Sequence, residues 1–128
     1  MNEIIIKKDQ DSSSKSVELV SDYLENYKYD KVLSYLKDIH NADIADILQN
    51  LDPVLRLSLL NIIDKNFDPE ILTYLNDSVR EEIIETLDIK QLANNAKSLD
   101  TDDAVDLAED LEEKDKTIFL ENLDKEER

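Results

Sequence analysis

Residues 40–64 read HNADIADILQNLDPVLRLSLLNIID and contain two copies of one short pattern. Each copy begins with a polar residue, continues with helix-forming residues and ends with an apolar triplet at positions i, i+1 and i+4. The triplets are Ile47, Leu48 and Leu51 in the first copy and Leu59, Leu60 and Ile63 in the second. Because these positions share one face of a helix, each copy predicts a short helix with an apolar stripe.

The same pattern recurs every twelve residues along most of the chain. The last apolar position falls at Ile39, Leu51, Ile63, Leu75, Leu87, Leu99, Leu111 and Leu123. The position three residues earlier falls at Leu36, Leu48, Leu60, Leu72, Ile84, Ala96, Ala108 and Leu120. The position just before that one forms a third row, which is apolar except at Asn95. The polar residue predicts a surface helix or a bend in that unit. An internal repeat of this kind indicates stacked helical units.

The residue after each apolar triplet has the chemistry of a helix start. This row is His40, Asp52, Asp64, Asn76, Asp88, Asp100, Glu112 and Asp124. Asp and Asn side chains accept hydrogen bonds from the free N–H groups of a first turn, and negative charge suits that end of a helix. Pro53 and Pro69 each follow an Asp, as expected of a first turn. For His40 we favour a capping or exposed position over a metal-binding one.

These helices are too short to be stable alone. A unit with about nine helical residues is about 13 Å long, and an isolated helix of that length is marginal in water. Consecutive helices must therefore pack on one another, and the sequence predicts an all-α solenoid. The helical stripe from Val17 lies outside the twelve-residue rhythm and is expected to cap one end. Residues 1–16, which carry a polar, Ser-rich run, are predicted to form a disordered tail, and residues 17–128 the helical domain.

Composition argues against catalysis. The chain has 128 residues, no Gly, no Cys and one His. Phosphate-binding loops, dinucleotide fingerprints and nucleophile elbows need Gly, and thiol catalysis and zinc–cysteine sites need Cys. We therefore expect no enzyme activity.

The net charge of the chain limits the classes of partner that it can bind. The formal net charge is −17, which repels nucleic acid and anionic lipid surfaces. Cations or basic protein surfaces are the expected partners. No apolar run approaches the roughly 18 residues that a membrane span requires, so direct membrane insertion by this segment is not expected.

A cluster of carboxylates between residues 99 and 113 is the candidate site. Asp102, Asp106, Glu109 and Glu113 fall on one helical face, and Asp103, Asp106 and Asp110 lie beside them. Like charges at these spacings destabilise a helix by a few tenths of a kcal/mol per pair, and a divalent cation would relieve the repulsion. The run lacks the Gly of an EF-hand. Spacing leaves two alternatives open, a solvated acidic face and a metal site.

The chain resembles the intracellular N-terminal domain of the MgtE family of magnesium transporters. The matching segments are DIHNADIADILQNLDP (38–53), FDPEILTYL (67–75) and LDTDDAVDLAEDL (99–111), and the resemblance extends over about residues 32–128. It implies a right-handed superhelix of short helices, followed in the transporter by CBS domains and a membrane pore, in a homodimer. The main alternative is a helical-repeat interaction scaffold of the flagellar motor switch or armadillo kind.

The resemblance also implies a function and a ligand set. In the family, magnesium ions lie between acidic residues of this domain and acidic residues of the CBS domains, and hold the pore closed. The positions that match those ligands are Glu70, Asp102 and Asp106, with Asp103 as an alternative to Asp102. The resemblance therefore implies a magnesium-sensing regulatory domain on the cytoplasmic side of the cell membrane, with weak, shared Mg²⁺ sites.

Overall fold

The computed structural model describes residues 2–124, with side chains from residue 14 onward, and this part of the chain is helical with no strand. Its helices are α1 (Asn2–Glu25), α2 (Tyr29–Leu36), α3 (Asn41–Asn50), α4 (Pro53–Ile63), α5 (Glu70–Thr73), α6 (Asp77–Thr86), α7 (Ile89–Ala96), α8 (Thr101–Glu109) and α9 (Glu113–Leu123). A short 3₁₀ helix, Asp64–Asn66, lies between α4 and α5. The predicted all-α class is confirmed.

The twelve-residue rhythm sets where the helices begin. Successive starts fall at Tyr29, Asn41, Pro53, Asp77, Ile89, Thr101 and Glu113, each twelve or twenty-four residues after the one before. The predicted cap residues His40, Asn76, Asp88, Asp100 and Glu112 immediately precede their helices. His40 is an exposed N-cap residue, as expected.

Two of these caps make the expected side-chain hydrogen bonds. The Oδ1 atom of Asn76 accepts from the N–H of Val79 at 2.9 Å. The Oδ1 atom of Asp88 accepts from the N–H groups of Lys90 at 3.0 Å and Gln91 at 3.4 Å. Each bond satisfies a donor that would otherwise lack a partner in the first helical turn.

The unit that occupies residues 64–75 departs from the rhythm. In place of one helix it has the 3₁₀ helix, an extended residue at Phe67, and the short α5. Pro69 explains the interruption, because a proline lacks an N–H group and disfavours helical geometry at the residue before it. Asp68 restarts the helix, since its Oδ1 atom accepts from the N–H of Glu70 at 2.9 Å.

The chain divides into two compact units, Met1–Ile62 and Ile63–Arg128. In the first, α1 packs against α2 and α3, and Val20 and Leu24 of α1 are buried, as the stripe from Val17 predicts. The Ser16 and Tyr35 hydroxyls share a hydrogen bond of 2.7 Å. The α1 backbone is helical from Asn2, so the helix starts well before the predicted position at about Val17. Residues 2–16 contain no Gly or Pro that would stop it. The division into a tail and a domain stays a prediction.

A buried arginine ties α4 to the end of α3. Arg56 is only 8% exposed, and its Nε atom donates to the carbonyl of Leu48 at 2.7 Å. Its Nη2 atom donates to the carbonyls of Gln49 and Leu51, both at 3.4 Å. Carbonyls at a helix C-terminus lack partners within the helix and carry partial negative charge, so a guanidinium group there stabilises α3.

In the second unit, α9 packs against α7 and α8. Phe119 of α9 is fully buried, and Leu92, Ala93 and Ala96 of α7 are buried as well. Asn95, which interrupts the apolar row, is part-buried and bonded to the irregular unit: its Nδ2 atom donates to the carbonyl of Phe67 at 3.0 Å. Residues 89–96 thus form a helix, but α7 contributes three buried residues and is not the predicted surface helix, and Asn95 faces another segment.

Burial follows the apolar rows of the repeat in both units. In the row three positions before the unit end, only Leu120 is exposed. The other seven residues are buried: Leu36, Leu48, Leu60, Leu72, Ile84, Ala96 and Ala108. These rows form the cores. The right-handed superhelical arrangement stays a prediction. No helix within residues 2–124 is long and apolar enough to cross a membrane.

Candidate functional site

The acidic cluster lies on α8, whose buried face positions it. Ala104, Leu107 and Ala108 face the core of the second unit. Asp102, Asp103 and Asp106 lie on the other faces of α8, and all three are exposed. Asp102 and Asp103 lie in the first turn, where the helix dipole favours negative charge.

A shallow groove of about 200 Å³ runs beside this helix. Its lining includes Leu72 and Thr73 at α5, Arg80 of α6, and the carboxylate residues Asp103, Asp106 and Asp110. Three carboxylates and one guanidinium group therefore share one opening, within a single compact unit.

Two basic residues neutralise the far end of the cluster. Arg80 contacts Asp110 with 3.6 Å between its Nη1 atom and Oδ2, and it also pairs with Asp77 on its own helix. Lys116 donates from Nζ to Oε2 of Glu109 at 3.2 Å. The repulsion expected at Glu109 and Asp110 is thus relieved by bases of the chain itself.

The predicted metal ligands are only partly brought together. Asp106 lines the groove and so does Asp103, the alternative ligand, whereas Asp102 and Glu70 do not line it. Glu70 is exposed at the start of α5, the element that also supplies Thr73 to the groove. Among the described residues, no group of three or more acidic or histidine side chains is placed to hold a metal ion. Oxygen donors suit Mg²⁺, but the donor set within this part of the chain is incomplete.

A second acidic groove lies next to the first and shares Asp110 with it. It measures about 280 Å³, and its carboxylate residues are Glu81, Glu85, Asp110, Glu112 and Asp115. Ile84 is the sole apolar residue among those that line it. The cluster predicted from residues 99–113 therefore continues onto α6 and α9.

Sequence reasoning missed two basic residues of this surface, Arg80 and Lys116, and also the buried Arg56 of the first unit. Arg56, Arg80 and Lys116 occupy the same position of the twelve-residue repeat, the fourth residue of α4, α6 and α9. That position is apolar at Val32, Ile44, Leu92 and Ala104, and is Asp68 in the irregular unit. A basic residue in a row that is apolar in several regular units is the signal that would have identified them.

These features define a class of protein: a helical-repeat domain with an acidic surface. The family model described as the MgtE intracellular N domain matches residues 39–128. The chain belongs to this family, which confirms the resemblance in the sequence. The family is not a known family of enzymes. No curated protein and no solved structure matched the chain.

Proposed function

We propose that this chain is a magnesium-sensing regulatory domain of an MgtE-type magnesium transporter. It acts on the cytoplasmic side of the cell membrane, within a homodimeric membrane protein. The observation that carries the proposal is the family match over residues 39–128. The acidic surface of the second unit supplies the chemistry.

Regulation depends on an ion site to which this chain contributes only some of the ligands. Glu70, Asp102 and Asp106 are the proposed ligands, with Asp103 as the alternative to Asp102, and all four are exposed. The absence of a three-ligand cluster among the described residues agrees with a site completed by acidic residues of CBS domains. Each chain would then supply part of the coordination of a hard cation that prefers oxygen ligands.

The magnesium concentration determines whether this domain and the CBS domains are held together by shared ions or held apart by repulsion. At low magnesium, the net charge of −17 repels an acidic CBS surface. At high magnesium, shared ions bridge the two surfaces and favour the closed pore. This is a population shift, whose size is limited by the difference in ion affinity between the two arrangements.

The test uses the full-length transporter and the triple variant Glu70→Ala, Asp102→Ala and Asp106→Ala. We expect closure of the variant to require more magnesium, so transport persists at concentrations that close the parent. Two measurements report this: a magnesium titration of protease protection between this domain and the CBS domains, and a transport assay.

A charge-matched control separates ligand loss from loss of charge. The triple variant Glu18→Ala, Glu25→Ala and Asp38→Ala removes three exposed acidic residues of the first unit. We expect it to close at the parental magnesium concentration. If the Glu70, Asp102 and Asp106 variant also closes there, these carboxylates are a solvated acidic face.

A further inference from the structure

Helix α4 has an outer face without charge. Its exposed residues are Pro53, Val54, Leu57 and Asn61, and spacings of one, four and eight residues put them on one side of a helix. Val54 is 75% exposed and Leu57 is 47% exposed, whereas Arg56, the one charged residue of α4, is buried. Every other helix of residues 14–124 exposes at least one charged side chain. A helix that is apolar on its outer side as well as its inner side is normally covered by another surface.

The negative charge of the chain lies mainly in the second unit. Residues 1–62 contain 7 basic and 11 acidic residues, whereas residues 63–128 contain 8 and 21, so the formal net charges are −4 and −13. A basic partner is attracted most strongly to the second unit, and an acidic partner is repelled by both units. The face of α4, which belongs to the first unit except for Ile63, therefore suits a partner surface that is itself apolar and uncharged.

We propose that the outer face of α4 is a self-association surface, whose occupant is the same face of a second copy of this chain. In a twofold interface each patch meets itself, so a charged residue near the axis faces its own like charge. The outer face of α4 contains no such residue. Two copies with a net charge of −17 each can therefore approach most closely along this face, because the other helices of residues 14–124 expose charges.

A patch of this size supports only weak association. A stable interface buries roughly 800 Å² on each partner, which is more than one side of an 11-residue helix provides. We therefore expect a Kd on the order of 1 mM. Two copies tethered within one membrane protein have an effective concentration of about that size, at which the contact is substantially occupied. The association itself does not depend on the proposed function, whereas its occupancy in a homodimeric transporter does.

The test is an NMR dilution series of the 128-residue chain. The backbone amide shifts of Val54, Leu57 and Asn61 are followed from concentrations well below the expected Kd to concentrations above it. We expect these shifts to depend on concentration. We also expect NaCl to lower the Kd, because salt screens the repulsion between two negative chains. A contact between charged groups would instead weaken in salt and would contradict the proposal.

Variants of α4 test the face directly. Val54→Asp places a carboxylate on it, and Leu57→Gln removes an apolar side chain without adding charge. Val54 is in the first turn of α4, where the helix dipole favours negative charge, so Val54→Asp should keep its fold. Each variant should raise the Kd at least about fivefold. The matched control is Val105→Asp, which changes the net charge equally at an exposed valine of α8 and should stay within about twofold of the parent.

A nitroxide label identifies the surfaces that meet. The chain has no Cys, so Asn50→Cys, at the exposed end of α3, gives a single attachment point outside the face. The spin-labelled chain is mixed with an unlabelled chain that carries ¹⁵N. We expect broadening of the α4 amides in the ¹⁵N chain. Broadening confined to another helix would show that α4 docks elsewhere, which contradicts a twofold contact.

The remaining outcomes are equally decisive. If no shift depends on concentration, or if the parent and both α4 variants have the same Kd, the face is not a self-association surface. Phosphatidylcholine vesicles provide an alternative apolar surface in a separate titration. If the α4 shifts require vesicles and do not respond to chain concentration, lipid is the occupant and the proposal is wrong. No arm of this experiment uses magnesium, so the magnesium-sensing role is decided separately by the transport assay.

Discussion

The side-chain amide of Asn95 donates a hydrogen bond to the backbone carbonyl of Phe67 at 3.0 Å. A second contact from the same nitrogen reaches the carbonyl of Lys65 at 3.4 Å, and Gln91 donates to Oδ1 of Asn95 at 3.1 Å. Phe67 lies in the unit whose helix is interrupted, where carbonyls lack helical partners. Asn95, the polar residue in its row of the repeat, therefore supplies hydrogen-bond donors to carbonyls of the irregular unit at residues 64–75.

We expect Asn95→Ala to lower the free energy of unfolding by about 1–3 kcal/mol, because it removes the donor to the part-buried carbonyl of Phe67. Urea denaturation followed by circular dichroism measures the change. Asn94→Ala is the matched control, since Asn94 is its exposed neighbour on α7, and its effect should stay within about 0.5 kcal/mol. Equal losses for the two variants would show that the hydrogen bonds of Asn95 contribute little.

The apolar rows give a second prediction. Leu48 and Leu60 are 0% and 3% exposed, so Leu48→Ala and Leu60→Ala should each cost about 2–5 kcal/mol of stability through lost burial and a residual cavity. Val54, on α4, is 75% exposed, and Val54→Ala should change stability by less than about 0.5 kcal/mol. Thermal or urea unfolding distinguishes these values. Losses below about 0.5 kcal/mol at both leucines would place the stripe outside the core.

Regular units were predictable from sequence because one face of each helix must be buried. The spacing of Leu48, Leu60 and their equivalents indicated that face, and the cap row indicated the helix starts. The unit at residues 64–75 was not predictable in this way. Its apolar positions Ile71, Leu72 and Leu75 keep the rhythm and are buried, but Pro69 changes the local backbone, and the rhythm carries no information about that.

The candidate site was predicted less completely than the fold. Sequence spacing located the carboxylates of α8 because helical geometry relates residues on one helix. It gave no information about Arg80 or Glu81, which reach the same surface from α6, because contacts between helices depend on packing. Asp106 was named as a candidate both from its spacing and from the resemblance, whereas Glu70 came from the resemblance alone.

The turn between α1 and α2 gives a third prediction. Tyr27 has a φ of 59°, the only positive φ of a non-glycine residue in the described part of the chain. The N–H of Lys28 donates to the carbonyl of Tyr23 at 2.8 Å, the helix-ending geometry that usually has Gly at this position. A left-handed conformation costs a residue with a Cβ atom roughly 1–2 kcal/mol.

We therefore expect Tyr27→Gly to raise the free energy of unfolding by about 0.5–1 kcal/mol, after the greater entropy of an unfolded glycine is subtracted. Tyr27 is 78% exposed, so little packing is lost. Tyr29→Gly is the control, because it removes the same edge-to-face contact between the two rings without relieving strain. It should lower stability, and a parallel loss in Tyr27→Gly would contradict the prediction.

The last prediction concerns magnesium and the isolated chain. Because the proposed ligands form only part of a site, binding should be weak, at millimolar Kd or above. Magnesium should nevertheless raise the melting temperature more than NaCl does at equal ionic strength, since a ligand that binds only the folded state stabilises it by mass action. At a concentration ten times Kd, this contribution is about 1.4 kcal/mol.

The variant Glu70→Ala, Asp102→Ala and Asp106→Ala should lose this magnesium-specific increase while keeping its fold. Removing three negative charges changes the formal net charge from −17 to −14, so in low salt and without magnesium the variant should be slightly more stable than the parent. Calorimetry gives the Kd, and thermal unfolding in the two salts gives the stabilities. Micromolar binding by the parent chain would contradict the partial site, because such affinity requires a complete set of ligands within these 128 residues.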